Sequence, residues 1–213
     1  MLRGFLFSIM IIAGAGGHGL EVLQLLLNKG IMEETILFFD EEISKKGNHI
    51  LGKPVITNWN ELEKEIKQDP RFCLGVGNPL YRKKLTEQLE NLGGKLSGLL
   101  GSCVESSFAE SMSFDQMSYS YVGPKTKIGK GVLINTRAHV HHESEVGEYT
   151  EIGPGAMLLG GVKVGKMCRI GAGAVILPGV RLSDKVIVGA GAVVTKDFLS
   201  PELVLKGNPA KSN

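Results

Sequence analysis

Residues 122–195 read VGPKTK IGKGVL INTRAH VHHESE VGEYTE IGPGAM LLGGVK VGKMCR IGAGAV ILPGVR LSDKVI VGAGAV VT. Cut into sixes, the stretch opens every unit on an aliphatic residue: Val122, Ile128, Ile134, Val140, Val146, Ile152, Leu158, Val164, Ile170, Ile176, Leu182, Val188 and Val194. Four places later stands a small or slim residue in each of the first twelve units, from Thr126 and Val132 to Val186 and Ala192. Two inward positions in every six match neither a helix nor the alternation of an ordinary strand. They fit a solenoid whose flat faces are one hexapeptide long, each face giving one large and one small side chain to a narrow interior. Glycine keeps the same phase: seven glycines directly follow the aliphatic place and six stand three places after it. Both are expected turn positions, where a positive φ or close backbone packing favours glycine. Only Gly160 falls outside these phases.

The first hundred residues obey another rule. A β-rich run over residues 8–13 leads into the glycine loop 14–19, and Leu20, Leu23, Leu26 and Leu27 then recur at helical spacing. Short extended segments are expected at residues 35–39, 52–56 and 71–76. Between them Asn58 or Asn60 is placed to cap a helix with Leu62 and Ile66 inward, and a last helix carries Leu80, Leu85 and Leu89. Strands alternating with helices predict a small parallel sheet. The expected domains are residues 1–100, a Rossmann-like α/β half-domain, and residues 101–213, the solenoid with a short tail and a degenerate coil between Val104 and Tyr121.

Composition narrows the function. Glycine makes up 29 of the 213 residues, about twice the ordinary share of roughly 7%. The formal charge of +2 leaves no electrostatic footprint for nucleic acid or an anionic membrane. Three cysteines, Cys73, Cys103 and Cys168, have neither disulfide-framework nor metal-ligand spacing, which fits a reducing cytoplasm. The apolar start MLRGFLFSIMII runs directly into the glycine loop, so Met10 reads as a start and the segment not as a cleaved leader. No apolar run approaches the roughly 20 residues that span a bilayer.

The repeat resembles the left-handed parallel β-helix of the hexapeptide acyltransferases, three hexapeptides to a triangular coil. The ordered series GAGGHG, FFDEE, LGKPVI, GVGNPLYRKKL, HHESEVGEYTEIGPGA and GNPAK is similar to the nucleotide-sugar and sialic-acid acetyltransferases of that class. The resemblance implies an acetyl-CoA-dependent enzyme that acetylates the 4-amino group of a UDP-linked 4-amino-4,6-dideoxy sugar for a bacterial glycan. It also implies a homotrimer with sites between subunits. O-acetylation of a sialic or nonulosonic acid is the near alternative; a non-catalytic nucleotide-sugar-binding trimer is the alternative of another class.

Gly14, Gly16 and Gly19 with Asp40 also satisfy a dinucleotide fingerprint. The α/β part covers only about the first 100 residues, too few for a complete doubly wound fold. The resemblance instead implies a nucleotide site lined by Gly16, Gly17 and His18, with Asp40 and Glu41 toward the base or ribose and Gly77 with Asn78 closing it. The alternative is that these glycines only serve a tight turn.

Acetyl transfer to an amine needs a base for the amine proton, donors for the oxyanion and positioned reactants. Three histidines crowd into His139-Val140-His141-His142, followed by Glu143. Against the family pattern His142 is the general base and Glu143 its orienter. The resemblance places acetyl-CoA along Gly160, whose amide meets the thioester carbonyl, and along Ala172 and Ala190. Glu151 stands where relatives often carry a second histidine, and a carboxylate there opposes an oxyanion. Asn135 is a further candidate for holding acceptor or base, or else a turn residue. Zinc, as in β-helical carbonic anhydrases, is not expected, because no histidine follows residue 142.

Overall fold

A computed structural model describes residues 10–106 and 113–212. The segment up to residue 9, with the start of the first expected strand, and residues 107–112 of the expected degenerate coil lie outside the described residues. The chain forms two compact units. One runs to Val76 and resumes over Lys84–Ser97; the other comprises Gly77–Lys83 and the chain from Gly98 onward.

The first unit is built on β1 (Met10–Ala13), β2 (Ile36–Phe39), β3 (His49–Ile50), β4 (Lys53–Ile56), β5 (Arg71–Leu74) and β6 (Lys95–Leu96). They lie in the order β3-β4-β2-β1-β5-β6, parallel except for β3. β1 and β2 are buried along their whole length, as continuous apolar runs in a parallel sheet must be. Helix α1 (Gly17–Asn28) follows β1, and α2 (Trp59–Gln68) follows β4. The cap of α2 is Asn58, whose side chain accepts the amides of Asn60 and Glu61, and Leu62 and Ile66 face the core as expected. Helix α3 (Pro79–Asn91) contributes Leu85 and Leu89 to this core. Two expected core leucines are instead exposed, Leu20 and Leu80. Both stand in the first turn of a helix, where side chains lean back past the helix start rather than onto the packed face. Val22 and Leu25 complete the buried side of α1.

The second unit is a parallel β-helix. Two-residue strands 18 residues apart stack into three sheets, one carrying 121–122, 139–140, 157–158, 175–176 and 193–194, and the others 127–128 and 133–134 with their successors. Each of the thirteen aliphatic residues is the second residue of a strand, and all but the partly buried Ile128 are buried. Polar residues in the slim place satisfy themselves inside: Thr150 Oγ1 donates to the Gly165 carbonyl at 2.8 Å and Ser144 Oγ to that of Leu159 at 3.1 Å.

The two glycine phases have different causes. Three places after each of the first twelve aliphatic residues φ is positive, in Gly131, Gly155, Gly161, Gly173, Gly179 and Gly191 but equally in Lys125, Arg137, Glu143, Tyr149, Met167 and Lys185. Directly after the aliphatic residue the need is contact. A Cβ on Gly147 would lie 2.5 Å from the carbonyl carbon of Gly165, one coil further on. Pro124, Pro154 and Pro178 fill the place between these two, where the turn asks no amide donor of the chain.

Candidate active site

In the first unit the glycine loop joins β1 to α1. Gly14, at φ +115, and Gly19 serve the turn, since a Cβ on Gly19 would stand 2.4 Å from the Gly14 carbonyl oxygen. Gly16 and Gly17 are different: nothing lies within 4 Å of where their side chains would be. Gly16 occupies the N-cap of α1 without a capping side chain, and no acid stands in the first turn. The helix start thus has amides without a capping side chain and the positive end of the dipole, features that can receive an anion. His18 gives Nδ1 to Glu21 at 3.0 Å, and its Nε2 is buried without a partner.

Asp40 is committed to the loop. Its carboxylate accepts the Ala15 amide and Lys45 Nζ, both at 2.8 Å, and the Glu42 amide at 3.0 Å. Burial alone raises its pKa, but these bonds outweigh burial and hold it below the usual carboxylate value. Glu41 pairs with Lys84 at 2.8 Å.

The second unit holds the other expected residues. His142 and Glu143 form the corner between strands 139–140 and 145–146. Glu143, at φ 60, turns its carboxylate back so that Oε2 lies 3.1 Å from His142 Nδ1. With the Nδ1 hydrogen given to Glu143, Nε2 is left as the acceptor. The backbone below fixes the residue: the Gly161 amide donates to the His142 carbonyl at 2.9 Å. The Gly160 amide donates to no described residue. His139 and His141 point outward beside Tyr121, with ring centroids 5.6 to 6.1 Å apart. Burial, then the neighbouring His139 and His142, lowers the His141 pKa. Among the described residues no three His, Cys, Asp or Glu side chains are placed to hold a metal ion.

Asn135, Ala172 and Ala190 sit at other corners of the coil. Asn135 is buried and its side-chain oxygen accepts the Thr136 amide at 2.7 Å, a turn contact. Ala172 and Ala190 are exposed, one above the other. Glu151 lies on a third sheet, where Arg169 Nε meets Oε2 at 2.8 Å. Gly77 approaches the same carboxylate: a Cβ there would lie 3.3 Å from Oε1. Asn78 caps α3 through the Leu80 amide at 2.9 Å. The Arg169 pairing was missed in the sequence although it was signalled, since residues 18 apart share a column. Burial pushes the Cys168 thiol up to about 11.

Both units have known relatives. The family described as PglD N-terminal domain matches residues 9–89, the bacterial transferase hexapeptide family residues 117–160, and the hexapeptide repeat of succinyl-transferase residues 161–196. The acetyltransferase domain of PglB from Neisseria gonorrhoeae, solved with acetyl coenzyme A, is 30% identical with a TM-score of 0.86, over 97% of this chain and 99% of that one. GDP-perosamine N-acetyl transferase from Caulobacter crescentus, solved as a histidine-to-alanine mutant with CoA and GDP-perosamine, is 29% identical with a TM-score of 0.82, over 97% of each chain. An uncharacterized protein of Acanthamoeba polyphaga mimivirus is 28% identical over 135 residues, and this chain spans 23% of its length. The chain belongs to the hexapeptide-repeat acetyltransferases that carry a PglD-type N-terminal domain. No helix among the described residues is long and apolar enough to cross a membrane.

Proposed function

We propose that this protein transfers the acetyl group of acetyl-CoA to the 4-amino group of a nucleotide-linked 4-amino-4,6-dideoxy sugar, UDP being the expected nucleotide, in bacterial glycan synthesis. The observation that carries the reading is the His142–Glu143 contact at 3.1 Å, which leaves Nε2 to take a proton. The amine attacks the thioester carbonyl, the carbon–nitrogen bond forms, the amine proton passes to Nε2, and the carbon–sulfur bond breaks to release CoA. Glu143 holds the tautomer and offsets the imidazolium charge. The Gly160 amide receives the developing oxyanion, and Ala172 and Ala190 line the pantetheine path.

The nucleotide belongs to the open amides of Gly16 and Gly17 beside His18, with Asp40 and Glu41 at the nucleoside. Asn135 acts by holding its turn. The relatives' bound ligands, acetyl coenzyme A in one and CoA with GDP-perosamine in the other, support both halves. The homotrimer is supported by one outward row, Tyr121, His139, Met157, Val175 and Val193, which is largely apolar. The row Lys127, Glu145, Lys163 and Arg181 on another sheet is charged throughout. Three free cysteines fit the expected cytoplasmic setting. The test is CoA release from acetyl-CoA with UDP-, GDP- and dTDP-linked 4-amino sugars and with hydroxyl acceptors. Turnover of hydroxyl acceptors alone, or near-full kcat in His142→Ala, overturns the reading.

A further inference from the structure

Gly160 is a glycine the scaffold does not need. Its φ is not positive, so no turn demands it, and a Cβ there would strike no backbone. The atoms it would strike belong to one side chain: His142 Cε1 and Nε2 at 2.5 Å and Nδ1 at 3.3 Å. Gly147, Gly165 and Gly171 contrast with it, because a Cβ on each would meet backbone of the next coil at 2.5 to 2.6 Å or closer to a side chain. The ring of His142 therefore rests on the bare α-carbon of the residue 18 places on, while Gly161 holds the His142 carbonyl from below and Gly123 packs against its amide nitrogen.

We infer that Gly160 is a positioning residue for His142: the missing side chain lets the imidazole lie against the next coil, where Nδ1 reaches Glu143 and Nε2 has a fixed direction. Any larger residue lifts the ring, since a Cβ and an aromatic atom do not approach within 3.0 Å. An imidazole is free to swing about χ1, so the cost falls on geometry rather than on folding. This role is separate from the amide contact proposed above, which a substituted residue keeps. The inference rests on the reading of His142 as the base.

The test is Gly160→Ala in the full chain, alone and combined with His142→Ala. Expected are a melting temperature near that of the unmodified protein, a fall in kcat of about 10- to 100-fold, and a KM for acetyl-CoA changed less than about threefold. The nitrogen-15 spectrum of His142 should lose the signature of a hydrogen-bonded Nδ1. On the His142→Ala background, Gly160→Ala should cost nothing further. Full kcat in Gly160→Ala where His142→Ala has lost activity overturns the inference and leaves the base standing. A further loss in the double variant, or a loss confined to the acetyl-CoA KM, overturns it by showing that Gly160 acts on the donor directly. Failure of Gly160→Ala to fold also overturns it, because the methyl group would then be striking the scaffold. Near-full kcat in His142→Ala removes the base and this inference together.

Discussion

Arg169 Nε donates to Glu151 Oε2 at 2.8 Å, one coil apart in the same column of the β-helix. The carboxylate is mostly buried while the guanidinium is half exposed. On the proposal that Glu151 faces the acetyl donor, a lone anion there opposes an oxyanion; paired with Arg169, it becomes a nearly neutral unit with guanidinium hydrogens to spare. Arg169→Gln is expected to lower kcat/KM for acetyl-CoA about tenfold by leaving Glu151 unpaired, and Glu151→Gln in the same chain to restore most of it. Steady-state kinetics on the three variants decide this; a double variant as poor as the single one assigns the loss to Arg169 itself.

Glu143 sits at φ 60, a conformation that costs an ordinary residue roughly 1 kcal/mol or more and glycine almost nothing. Glu143→Gly should therefore stabilise the fold by about 1 kcal/mol in urea unfolding while lowering kcat at least about tenfold. Stability and activity moving in opposite directions identify a strained residue kept for its carboxylate. A variant that loses both gives the side chain a structural task instead.

The sequence carried the β-helix almost residue for residue, because a hexapeptide that misses its phase would put polar groups in a core one side chain wide. It could not separate the two glycine phases. The positive-φ places are held as often by residues such as Lys125, Arg137 or Glu143 as by glycine, so composition alone hides a backbone rule that the first twelve turns of the repeat all obey. Gly160 was legible as an oddity, but its partner is a ring 18 residues away, and only coordinates bring the two together. Asp40 marks another limit: the fingerprint picks out the residue but not its partners, and its carboxylate accepts from Ala15, Glu42 and Lys45.

The loop glycines should separate by substitution. Gly16→Ala meets open space and should leave the melting temperature within a few degrees while raising the KM for the nucleotide sugar about tenfold. Gly19→Ala drives a Cβ to 2.4 Å from the Gly14 oxygen and should cost several degrees or the fold. Thermal unfolding with acceptor kinetics reads both. Unchanged acceptor KM in Gly16→Ala would leave these glycines with the turn alone.

Assembly can be tested on the apolar row. Val175 stands inside it, paired with Met157 and Val193 on either side, and is only partly covered within one chain. An aspartate there would be buried unpaired in any contact that uses the row. Val175→Asp is expected to give folded monomers by light scattering and circular dichroism, and no turnover. Trimers that persist in this variant would move the interface to another sheet.

Arg82 and Asp115 make the contrasting case of an ion pair with a structural task. Both side chains are wholly buried; Arg82 Nε donates to the Gly131 carbonyl at 2.8 Å, and Asp115 Oδ1 accepts the Leu99 amide at 3.0 Å. Nearly every polar atom of the pair is therefore spoken for, the condition under which burial of two charges is tolerable. Removing one partner strands the other in the dry interior, and Arg82→Ala is expected to cost about 3–5 kcal/mol in urea unfolding. Arg82→Lys should recover little, because an ammonium cannot reach the carbonyl and the carboxylate in the forked geometry of a guanidinium. The exposed Lys84–Glu41 pair serves as the control, and Lys84→Ala should leave the unfolding midpoint where it was. A loss in Arg82→Ala no larger than in Lys84→Ala would mean that water reaches Asp115 and that the pair does not anchor this end of the β-helix.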